Sequence, residues 1–542
     1  MCSIPVGDCD TGLARATASM ISALTNSLRL MRAGYVFARE GVFRELDPAL
    51  LPVPARLGLR VARLIERPGK AGETGRLAAA LTQLGPTYVK LGQFLATRPD
   101  VVGPAIAREL ESLQDRMPPF PHAEAVAIVE KAFGQPIDQT YVTFGPSVAA
   151  ASIAQVHRAE IRNADGTRPV AVKVLRPGIE QRFAMDQDAF AFAARHAEDV
   201  SAEARRLRLV ETVATLRRSI SLEMDLRLEA AALSEMAENT KGDPGFRVPA
   251  IDWDRTTKDV LTLEWIDGTH LSNHAALEAK GLDLKDLARV VTQSFLRHAL
   301  RDGFFHADMH PGNLFVDDAG CLVAVDFGIM GRLGPKERRF LAEILYGFIT
   351  RNYRRTAEVH FEAGYVPSHH SIEDFAQAIR AIGEPIHNRA ADEISMAKLL
   401  TLLFEVTSLF DMRTRPELLL LQKTMVVVEG VSRSLDPKLD MWSTAEPVVR
   451  EWIERNLGLA GRIEDVGDSF AELGRFAGQV PGLLSRGAVL VQQLDAITRN
   501  GIVLAPETVA DIGRAEARRS RATATALWVI AALLVYIVFL LR

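Results

Sequence analysis

The residues between positions 306 and 328 combine the groups that metal-dependent phosphoryl transfer requires. The run His306-Ala-Asp-Met-His-Pro-Gly-Asn313 is followed by Asp326-Phe-Gly. Asp308 and Asn313 are five residues apart, and Asn313 and Asp326 are thirteen apart. Mg²⁺ prefers hard oxygen ligands and neutralises the charge on a transferring phosphoryl group. We therefore predict that Asn313 and Asp326 bind Mg²⁺ and that Asp308 is a catalytic base orienting the attacking hydroxyl.

These residue types and offsets match the catalytic loop and the Asp-Phe-Gly turn of protein kinases. Gly328 closes that turn, where we expect it to supply backbone freedom beside the metal ligand. A rival interpretation makes His306, Asp308 and His310 the ligands of a metallohydrolase. Such a site also needs distant His or Asp partners. The chain has 12 His, and its other cluster, His369-His370, is typical of a surface turn.

Lys173 lies in the apolar, β-branched run Val170-Ala-Val-Lys-Val, where an unpaired ammonium group is costly to bury. It matches the strand lysine that contacts ATP phosphates and pairs with a helix glutamate. A strand-edge lysine facing water is the alternative. Glutamate candidates lie between Glu223 and Glu229, which are six residues apart and off a shared helix face. We expect these two glutamates to have different partners.

The stretch before this lysine departs from the glycine-rich loop GxGxxGxV of ordinary kinases. Val156 lies seventeen residues before Lys173, and Ala149, Ala151 and Ala154 occupy the three glycine positions. Alanine limits both φ and the approach of the backbone to a phosphate, so either the nucleotide lies differently or the loop is stiffer. Ordinary packing is the other explanation of an alanine-rich stretch. The chain has no GxxxxGK[ST] motif, which excludes a P-loop.

The composition fits a large globular chain with several structural units. Its 542 residues predict three or four units, and 48% are hydrophobic while 24% are charged. The net charge of −4 gives no support for nucleic-acid binding, which usually appears as a basic excess. Three cysteines, without a CxxC pair, favour a reducing compartment.

Periodicity predicts helices, then a small sheet with an embedded helix, then a helical lobe. Residues 11–80 and 178–240 have helical patterns, and a further helix is expected between Pro86 and Pro99. This order is α+β, without alternating βαβ units. The predicted strands are Gln139–Phe144, Ala154–Ile161, Pro169–Leu175, Phe246–Ile251, Val260–Ile266, Leu314–Val316 and Cys321–Val325.

The C-terminal segment has the character of a membrane span. Ala524–Leu541 contains 18 residues without a charge, and a helix of that length covers roughly 27 Å, about one hydrocarbon core. Four arginines precede it between positions 514 and 521, so the positive-inside rule predicts a single C-terminal anchor with the bulk of the chain cytoplasmic. A buried core helix is the alternative.

Together these motifs resemble the UbiB family of atypical kinases, which are tied to ubiquinone biosynthesis. The resemblance spans roughly residues 80–335 and depends on features that ordinary kinases lack, above all Lys90-Leu-Gly-Gln93 ahead of the sheet and the alanine-rich loop. It implies a two-lobe, protein-kinase-like fold. The expected units are an N-terminal helical region (1–80), a KxGQ helical extension (81–120), an N-lobe (121–268), a C-lobe (269–455), a further helical region (456–522) and a transmembrane helix (523–542).

The resemblance also implies roles for individual residues. Lys173 contacts the phosphates and pairs with a glutamate, which we expect to be Glu229, so both are counted with Asp308 as catalytic. Lys90 and Gln93 lie on a helix that gates the cleft, where Lys90 meets Glu223 or Asp225. The nucleotide-binding set is Val148, Ala149, Ala150, Ala151, Ser152, Ile153, Ala154, Gln155 and Val156 of the loop, Lys173, and Glu264 and Ile266 of the lobe linker.

Three functions compete. The first is an ATPase or atypical phosphotransferase that uses ATP and Mg²⁺ to support ubiquinone biosynthesis, with membrane lipids, quinone-precursor lipids and quinone-biosynthesis proteins as partners. The second is a conventional protein kinase, which the alanines oppose; no Ala-Pro-Glu follows Asp326 at the expected distance, so a peptide-docking segment is not evident. The third is a nucleotide- or lipid-binding pseudoenzyme scaffold, which the intact Lys173, Asp308, Asn313 and Asp326 oppose.

Overall fold

A computed structural model of the protein divides into two units, Met1–Ile453 and Glu454–Arg542. The second unit is described only at residues 454–457, in the last turn of a helix. The described residues are 9–44, 53–67, 75–96, 98, 102–110, 113, 117–163, 166–387, 406, 409–412 and 416–457.

Among the described residues, the chain begins with helices, as the sequence predicts for residues 11–80 and for the segment after Pro86. Their bounds are α1 (Cys9–Arg39), α2 (Val53–Leu64), α3 (Arg76–Leu84), α4 (Pro86–Ala96) and α5 (Pro104–Leu110). Proline opens α4, where its missing N–H has no partner to lose. Two further helices, α6 (His122–Phe133) and the short α7 (Ile137–Thr140), lead into the sheet.

The first sheet is four-stranded and antiparallel, in the order β1-β2-β3-β5. Its strands are β1 (Thr143–Ala150), β2 (Ala154–Asn163), β3 (Gly166–Leu175) and β5 (Val260–Glu264), and β4 (Phe246–Arg247) belongs to a second sheet. Between β3 and β4 lie four helices, α8 (Ile179–Val200), α9 (Ala202–Leu207), α10 (Leu209–Glu223) and α11 (Leu226–Asn239). The predicted small sheet is therefore confirmed, and the single helical stretch predicted at residues 178–240 is four helices.

Two predicted strands have different bounds. The prediction of a strand at Gln139–Phe144 is wrong over most of that range, because α7 ends at Thr140 and β1 begins only at Thr143. Tyr141 between them is 2% exposed and shares a 2.7 Å hydrogen bond with Thr262, so tertiary packing overrides its β propensity. The strand predicted at residues 246–251 ends after two residues, just before Pro249, which has no N–H to donate to a sheet.

The second lobe is mostly helical around short strands. Its second sheet has the order β4-β9-β8-β6, with a parallel β4–β9 pair, and a two-stranded sheet pairs β7 with β10. The strands are β6 (Gly268–His270), β7 (Phe304–His306), β8 (Leu314–Asp317), β9 (Leu322–Ala324) and β10 (Met330–Arg332). The helices are α12 (His274–Ala279), α13 (Leu284–Arg297), α14 (Pro335–Ile349), α15 (Tyr353–Glu362), α16 (Ile372–His387), α17 (Pro416–Leu435) and α18 (Met441–Leu457).

A buried carboxylate joins the N-terminal helices to the helix after the sheet. Asp186 of α8 is 7% exposed; it accepts a 2.7 Å hydrogen bond from Thr87 of α4 and pairs with Arg29 of α1 at 3.1 Å. Tyr88 of α4 packs edge-on against Phe190 of α8, with ring centroids 5.1 Å apart. These contacts hold α4 between the N-terminal helices and the lobe that carries the sheet.

The predicted span Ala524–Leu541 lies outside the described residues. Within the part of the chain that the structure describes, no helix has both the length and the apolar character that crossing a membrane requires.

Gly92 of α4 sits where a side chain does not fit. A Cβ at this position would clash with Leu113 Cδ1 and lie 2.8 Å from Leu81 Cδ1, so α4 approaches its neighbours closely because residue 92 is glycine. We predict that Gly92→Ala destabilises the protein by about 1–3 kcal/mol through overpacking. Thermal or urea unfolding measures the change.

Gly430, inside α17, provides the matched control because a Cβ there meets nothing within 4 Å. Gly430→Ala should stabilise the protein by up to about 1 kcal/mol through helix propensity. Equal shifts in the same direction for both variants would contradict the close packing of α4.

Candidate active site

The alternation of β3 turns its lysine towards the cleft between the two lobes. Val170, Val172 and Val174 are fully buried in the core beneath α6, so the period of two places Ala171 and Lys173 on the opposite face. Both of these residues line the cleft. The alternative of a strand-edge lysine facing water is therefore wrong.

Lys173 lies between two carboxylates. Its Nζ is 2.8 Å from Oε1 and 2.9 Å from Oε2 of Glu229, and 3.0 Å from Oδ1 of Asp326. Burial alone would lower the pKa of Lys173, but Asp326 and Glu229 more than offset that effect and raise it above its usual value. The lysine is therefore held as a cation.

The two carboxyl groups differ in their surroundings. Burial raises the pKa of Glu229 although Lys173 opposes the shift, because its side chain is only 7% exposed. Burial also works to raise the pKa of Asp326, but Lys173 and then Lys90 overcome it and hold that pKa well below its usual range. Asp326 is therefore ionised, as a metal ligand must be.

Glu229 owes its position to the start of α11. Asp225 is the N-cap of this helix; its carboxylate accepts from the backbone N–H of Arg227 and pairs with the Arg227 guanidinium at 2.6 Å. The N-cap fixes the first turn, and Glu229 lies one turn further along. The expectation that Lys90 meets Glu223 or Asp225 is settled in favour of Glu223, because the Asp225 carboxylate is used by the cap.

The β8–β9 hairpin explains the thirteen-residue spacing between the two predicted metal ligands. Leu314 pairs with Ala324, and the Asn313 carbonyl accepts a 2.9 Å hydrogen bond from the N–H of Val325, so Asn313 lies opposite the residue before Asp326. The Asn313 amide nitrogen donates to the Asp308 backbone oxygen at 3.1 Å. Its amide oxygen is then the group left for a cation.

The histidine of the catalytic loop is a structural residue. His306 is 1% exposed; its Nδ1 accepts from the backbone N–H of Asp308 at 3.0 Å, and its Nε2 lies 3.4 Å from the Val325 oxygen. Burial lowers the pKa of His306, so the ring is neutral, with its proton on Nε2 in this arrangement. Because both nitrogens are engaged, the metallohydrolase interpretation loses one of its three ligands.

The backbone at the Asp-Phe-Gly turn departs from the sequence prediction in one respect. The positive φ of 64° belongs to Asp326 itself, in the left-handed region that costs energy for a residue with a Cβ. Gly328 does not have a positive φ; its N–H donates to Asp326 Oδ1 at 3.3 Å, and a Cβ there would crowd the same oxygen at 3.3 Å. Gly328 therefore provides space for the carboxylate.

The alanine-rich loop is the turn between β1 and β2. Arg176 binds the carbonyl oxygen of Ala151 through Nε at 2.9 Å and Nη2 at 2.8 Å, and it reaches Pro118 O at 2.9 Å. This clamp, which the sequence did not indicate, restrains the turn. Of the predicted loop residues, those that line the cleft are Val148, Ala149, Ala150, Ala151, Ala154 and Val156.

The other three loop residues have buried side chains that do not line the cleft. Ser152, Ile153 and Gln155 are at most 8% exposed. Gln155 binds the backbone of Phe120 and the ring of His157, at 3.0 and 2.9 Å. These side chains support the hairpin, so a nucleotide in the cleft would meet only the backbone of these three residues.

The predicted lobe linker follows β5. Glu264 and Ile266 both line the cleft, but the Glu264 carboxylate is bound by Arg247 at 3.1 Å and by the N–H of Ala250 at 3.1 Å. Arg247 also binds Asp317 at 2.7 Å, so this network ties the linker to β8. The side chain of Glu264 therefore anchors the linker, which leaves the linker backbone for an adenine.

The cover helix, as we call α4, brings a second lysine to the cleft. Lys90 Nζ lies 2.6 Å from Oε2 of Glu223 at the end of α10, and the two side chains are 9% and 12% exposed. Gln93 lines the same cleft. The predicted gating residues Lys90, Gln93 and Glu223 are thus brought together at the cleft, whereas Asp225 is not.

Helix α17 contributes to the site from more than a hundred residues away. Thr424, fully buried, donates to the Ala307 backbone oxygen at 3.1 Å and so braces the catalytic loop. Leu420, Gln422, Lys423, Val426 and Val427 of the same helix line the cleft. The apolar pattern of α17 predicts only a core helix, and no local signal marks Thr424.

The cleft has a volume of about 2430 Å³ and presents a donor set suited to Mg²⁺. Ionised Asp326 and the amide oxygen of Asn313 are hard oxygen ligands, and Asp308 lies beside them with a half-exposed carboxylate. Lys173 adds a cation suited to phosphate oxygens. The residues therefore fit a magnesium nucleotide.

Comparison with known proteins shows which families the chain resembles in sequence. The ABC1 atypical kinase-like domain matches residues 112–360, and the UbiB helical domain matches residues 379–440. A relative named "Probable protein kinase UbiB" from Marinobacter nauticus is 40% identical over 450 residues, covering 82% of this chain and 82% of its own. Its namesake from Azotobacter vinelandii is 39% identical over 407 residues, covering 74% and 75%. A solved complex of Rv3197 with erythromycin from Mycobacterium tuberculosis is 24% identical, with a TM-score of 0.48, covering 73% of this chain and 97% of that chain.

The Lys90–Glu223 pair yields a prediction about the cover helix. Lys90→Ala and Glu223→Gln break the same contact from opposite sides, so both should change steady-state ATP turnover in the same direction by at least about fivefold, or about 1 kcal/mol. Phosphate release measures the effect, and thermal unfolding verifies that each variant is folded.

Lys258 provides the control because it pairs with Glu180 on the surface, with both side chains nearly half exposed. Lys258→Ala should leave turnover unchanged, since an exposed ion pair contributes little. Wild-type kinetics for folded Lys90 and Glu223 variants would remove the gating role of the cover helix.

Proposed function

Because this chain belongs to the UbiB family of ABC1 atypical kinase-like proteins, we propose that it is a MgATP-dependent ATPase or phosphotransferase that supports ubiquinone biosynthesis at a membrane. One observation carries this proposal. Lys173 is held as a cation between Glu229 and Asp326, in a cleft that also contains Asn313 and Asp308.

Each residue has a distinct task in the proposed reaction. Lys173 binds phosphate oxygens and is oriented by Glu229. Asp326 and Asn313 would hold Mg²⁺, which would supply the positive charge that phosphoryl transfer requires. Asp308 accepts the proton of the attacking hydroxyl group, and its backbone is fixed by His306 and Asn313.

The lining of the cleft favours a small amphipathic molecule, or water, as the phosphoryl acceptor, and it does not favour a peptide. Beyond the charged residues, much of the wall that comes from the cover helix, α10 and α17 is apolar; it includes Phe94, Leu216, Ile220, Val426 and Val427. No Ala-Pro-Glu docking segment follows Asp326 at the expected distance. Quinone precursors combine a phenolic head with a hydrocarbon tail, which matches a wall of this kind. The predicted span Ala524–Leu541 would keep the cleft on the cytoplasmic side, where ATP is available.

Two substitutions separate the proposed roles of the acidic residues. Asp326→Asn should abolish Mg²⁺-dependent nucleotide binding, because it removes the ionised metal ligand. Asp308→Asn should retain nucleotide binding and lower turnover by about a hundredfold or more, in line with the loss of a general base. Nucleotide binding and steady-state phosphate release are measured on the full chain, with and without anionic vesicles and a phenolic headgroup compound.

Asp318→Asn is the matched control, since Asp318 forms an exposed pair with Lys280 on the surface. It should leave both measurements unchanged. Unaltered MgATP affinity in folded Asp326→Asn would falsify the assignment of the metal site. Nucleotide binding by the wild-type chain without turnover under any lipid condition would favour the scaffold alternative.

A further inference from the structure

The first helix presents a stripe of large apolar side chains to solvent. Leu24, Leu28, Met31 and Tyr35 of α1 are 63%, 55%, 60% and 50% exposed. Their spacing of four, three and four residues places them on one face of the helix. We call these four residues the outer face of α1.

The inward side of the same helix carries smaller or polar residues. Asn26, Ala33 and Val36 are at most 8% exposed, and Arg29 ties the helix to Asp186 of α8. The helix is therefore fixed to the fold with four large apolar side chains left outward, which an ordinary surface helix would fill with polar residues. Full burial of one such side chain is worth about 1.5–3 kcal/mol, so the outer face favours an apolar environment.

The charge around this face is predominantly positive: Glu40 and Glu66, where α1 and α2 meet, are each paired with arginines, Glu40 with Arg67 and Glu66 with Arg44 and Arg76. From residue 11 to 39 and along α2, the chain carries seven arginines and neither aspartate nor glutamate. The arginines that are exposed are Arg32, Arg56, Arg60 and Arg63. The backbone N–H of Arg67, just beyond α2, donates to the Arg39 oxygen at 2.9 Å, so α2 ends beside the C-terminus of α1. Leu64 and Ile65, at that same end, are 84% and 39% exposed.

We propose that the outer face of α1 binds an anionic phospholipid bilayer, with α1 lying in the plane of the interface. Leucine and methionine side chains suit the acyl boundary, and tyrosine is favoured at headgroup depth. Each nearby arginine contributes about 1 kcal/mol of attraction to anionic headgroups. A second copy of the chain is disfavoured as the occupant, because two such faces, each with an excess of arginines over carboxylates, would oppose like charges.

This docking surface is separate from the predicted anchor and from catalysis. A single span at residues 524–541 would tether the chain without fixing which surface meets the lipid. The outer face of α1 would set that orientation. None of its residues lines the cleft, so the inference does not depend on MgATP turnover.

A spin label on the full-length chain tests the orientation. The three native cysteines are replaced by serine, and a label is placed at Met31→Cys or, as the control, at Val200→Cys, which is 86% exposed on α8. The protein is reconstituted in bilayers of phosphatidylcholine with or without phosphatidylglycerol. The measured quantity is the accessibility of the label to oxygen divided by its accessibility to a nickel chelate. For the label at residue 31, this ratio should rise by at least about threefold when phosphatidylglycerol is present, because α1 then lies about 5–10 Å deep at the boundary between headgroups and acyl chains. The label at residue 200 should stay aqueous.

Two results would overturn the proposal. One is equal access of the nickel chelate to residue 31 with and without phosphatidylglycerol. The other is spin–spin coupling between labels at residue 31 in detergent, which would assign the face to a second copy.

The double variant Leu28→Gln with Tyr35→Gln, carrying the same label at residue 31, should lose the response while keeping MgATP binding in the absence of lipid. Because both positions are at least 50% exposed, the substitutions leave the core intact. A full response from this variant would also overturn the proposal. Loss of nucleotide binding by the Met31→Cys protein in detergent would show that the outer face of α1 and the nucleotide cleft are not separate.

Discussion

The burial of one ammonium group constrains the whole site. Lys173 brings a positive charge to a nearly closed position, which is tolerated only because Glu229 and Asp326 supply carboxylates within 3.0 Å. The three residues come from β3, from α11 and from the segment after β9. Their meeting therefore requires the register of the first sheet, the Asp225 cap of α11 and the β8–β9 hairpin to be correct at once. Removal of any one carboxylate would leave the cation partly uncompensated.

Lys173 and Asp326 of this triad could be predicted from sequence because their signals are local, whereas Glu229 was assigned only through the family resemblance. A lysine within an apolar alternating strand must face away from the core, and the offsets of Asp308, Asn313 and Asp326 reflect a fixed loop and hairpin. The small sheet and the helices after it follow equally from periodicity. The local pattern did not predict the choice between helix and strand at residues 137–142. That choice depends on the buried hydrogen bond between Tyr141 and Thr262.

Other parts of the site could not be predicted because they depend on distant partners. Thr424 is one polar residue in an apolar helix, and its contact with the Ala307 carbonyl exists only after α17 packs against the catalytic loop. The carboxylate of Glu264 is bound by Arg247, and that of Asp225 caps a helix, and motif position alone indicated neither contact. In all three cases the hydrogen bond joins residues of common types, and neither the residue type nor its position in the sequence predicts the partner.

The cover helix is linked by direct contacts to both the cleft and the first helix. At its start, Thr87 binds Asp186, which also holds Arg29 of α1. One turn on, Lys90 pairs with Glu223 and lowers the pKa of Asp326. Contacts alone do not establish coupling; that requires an element with two arrangements biased from both ends. The cover helix is held firmly at its start, because Asp186 is too buried to release Arg29 or Thr87 without a cost. A shift of α1 that kept these bonds would have to carry Thr87 with it, and the lysine one turn along would then move relative to the metal ligand.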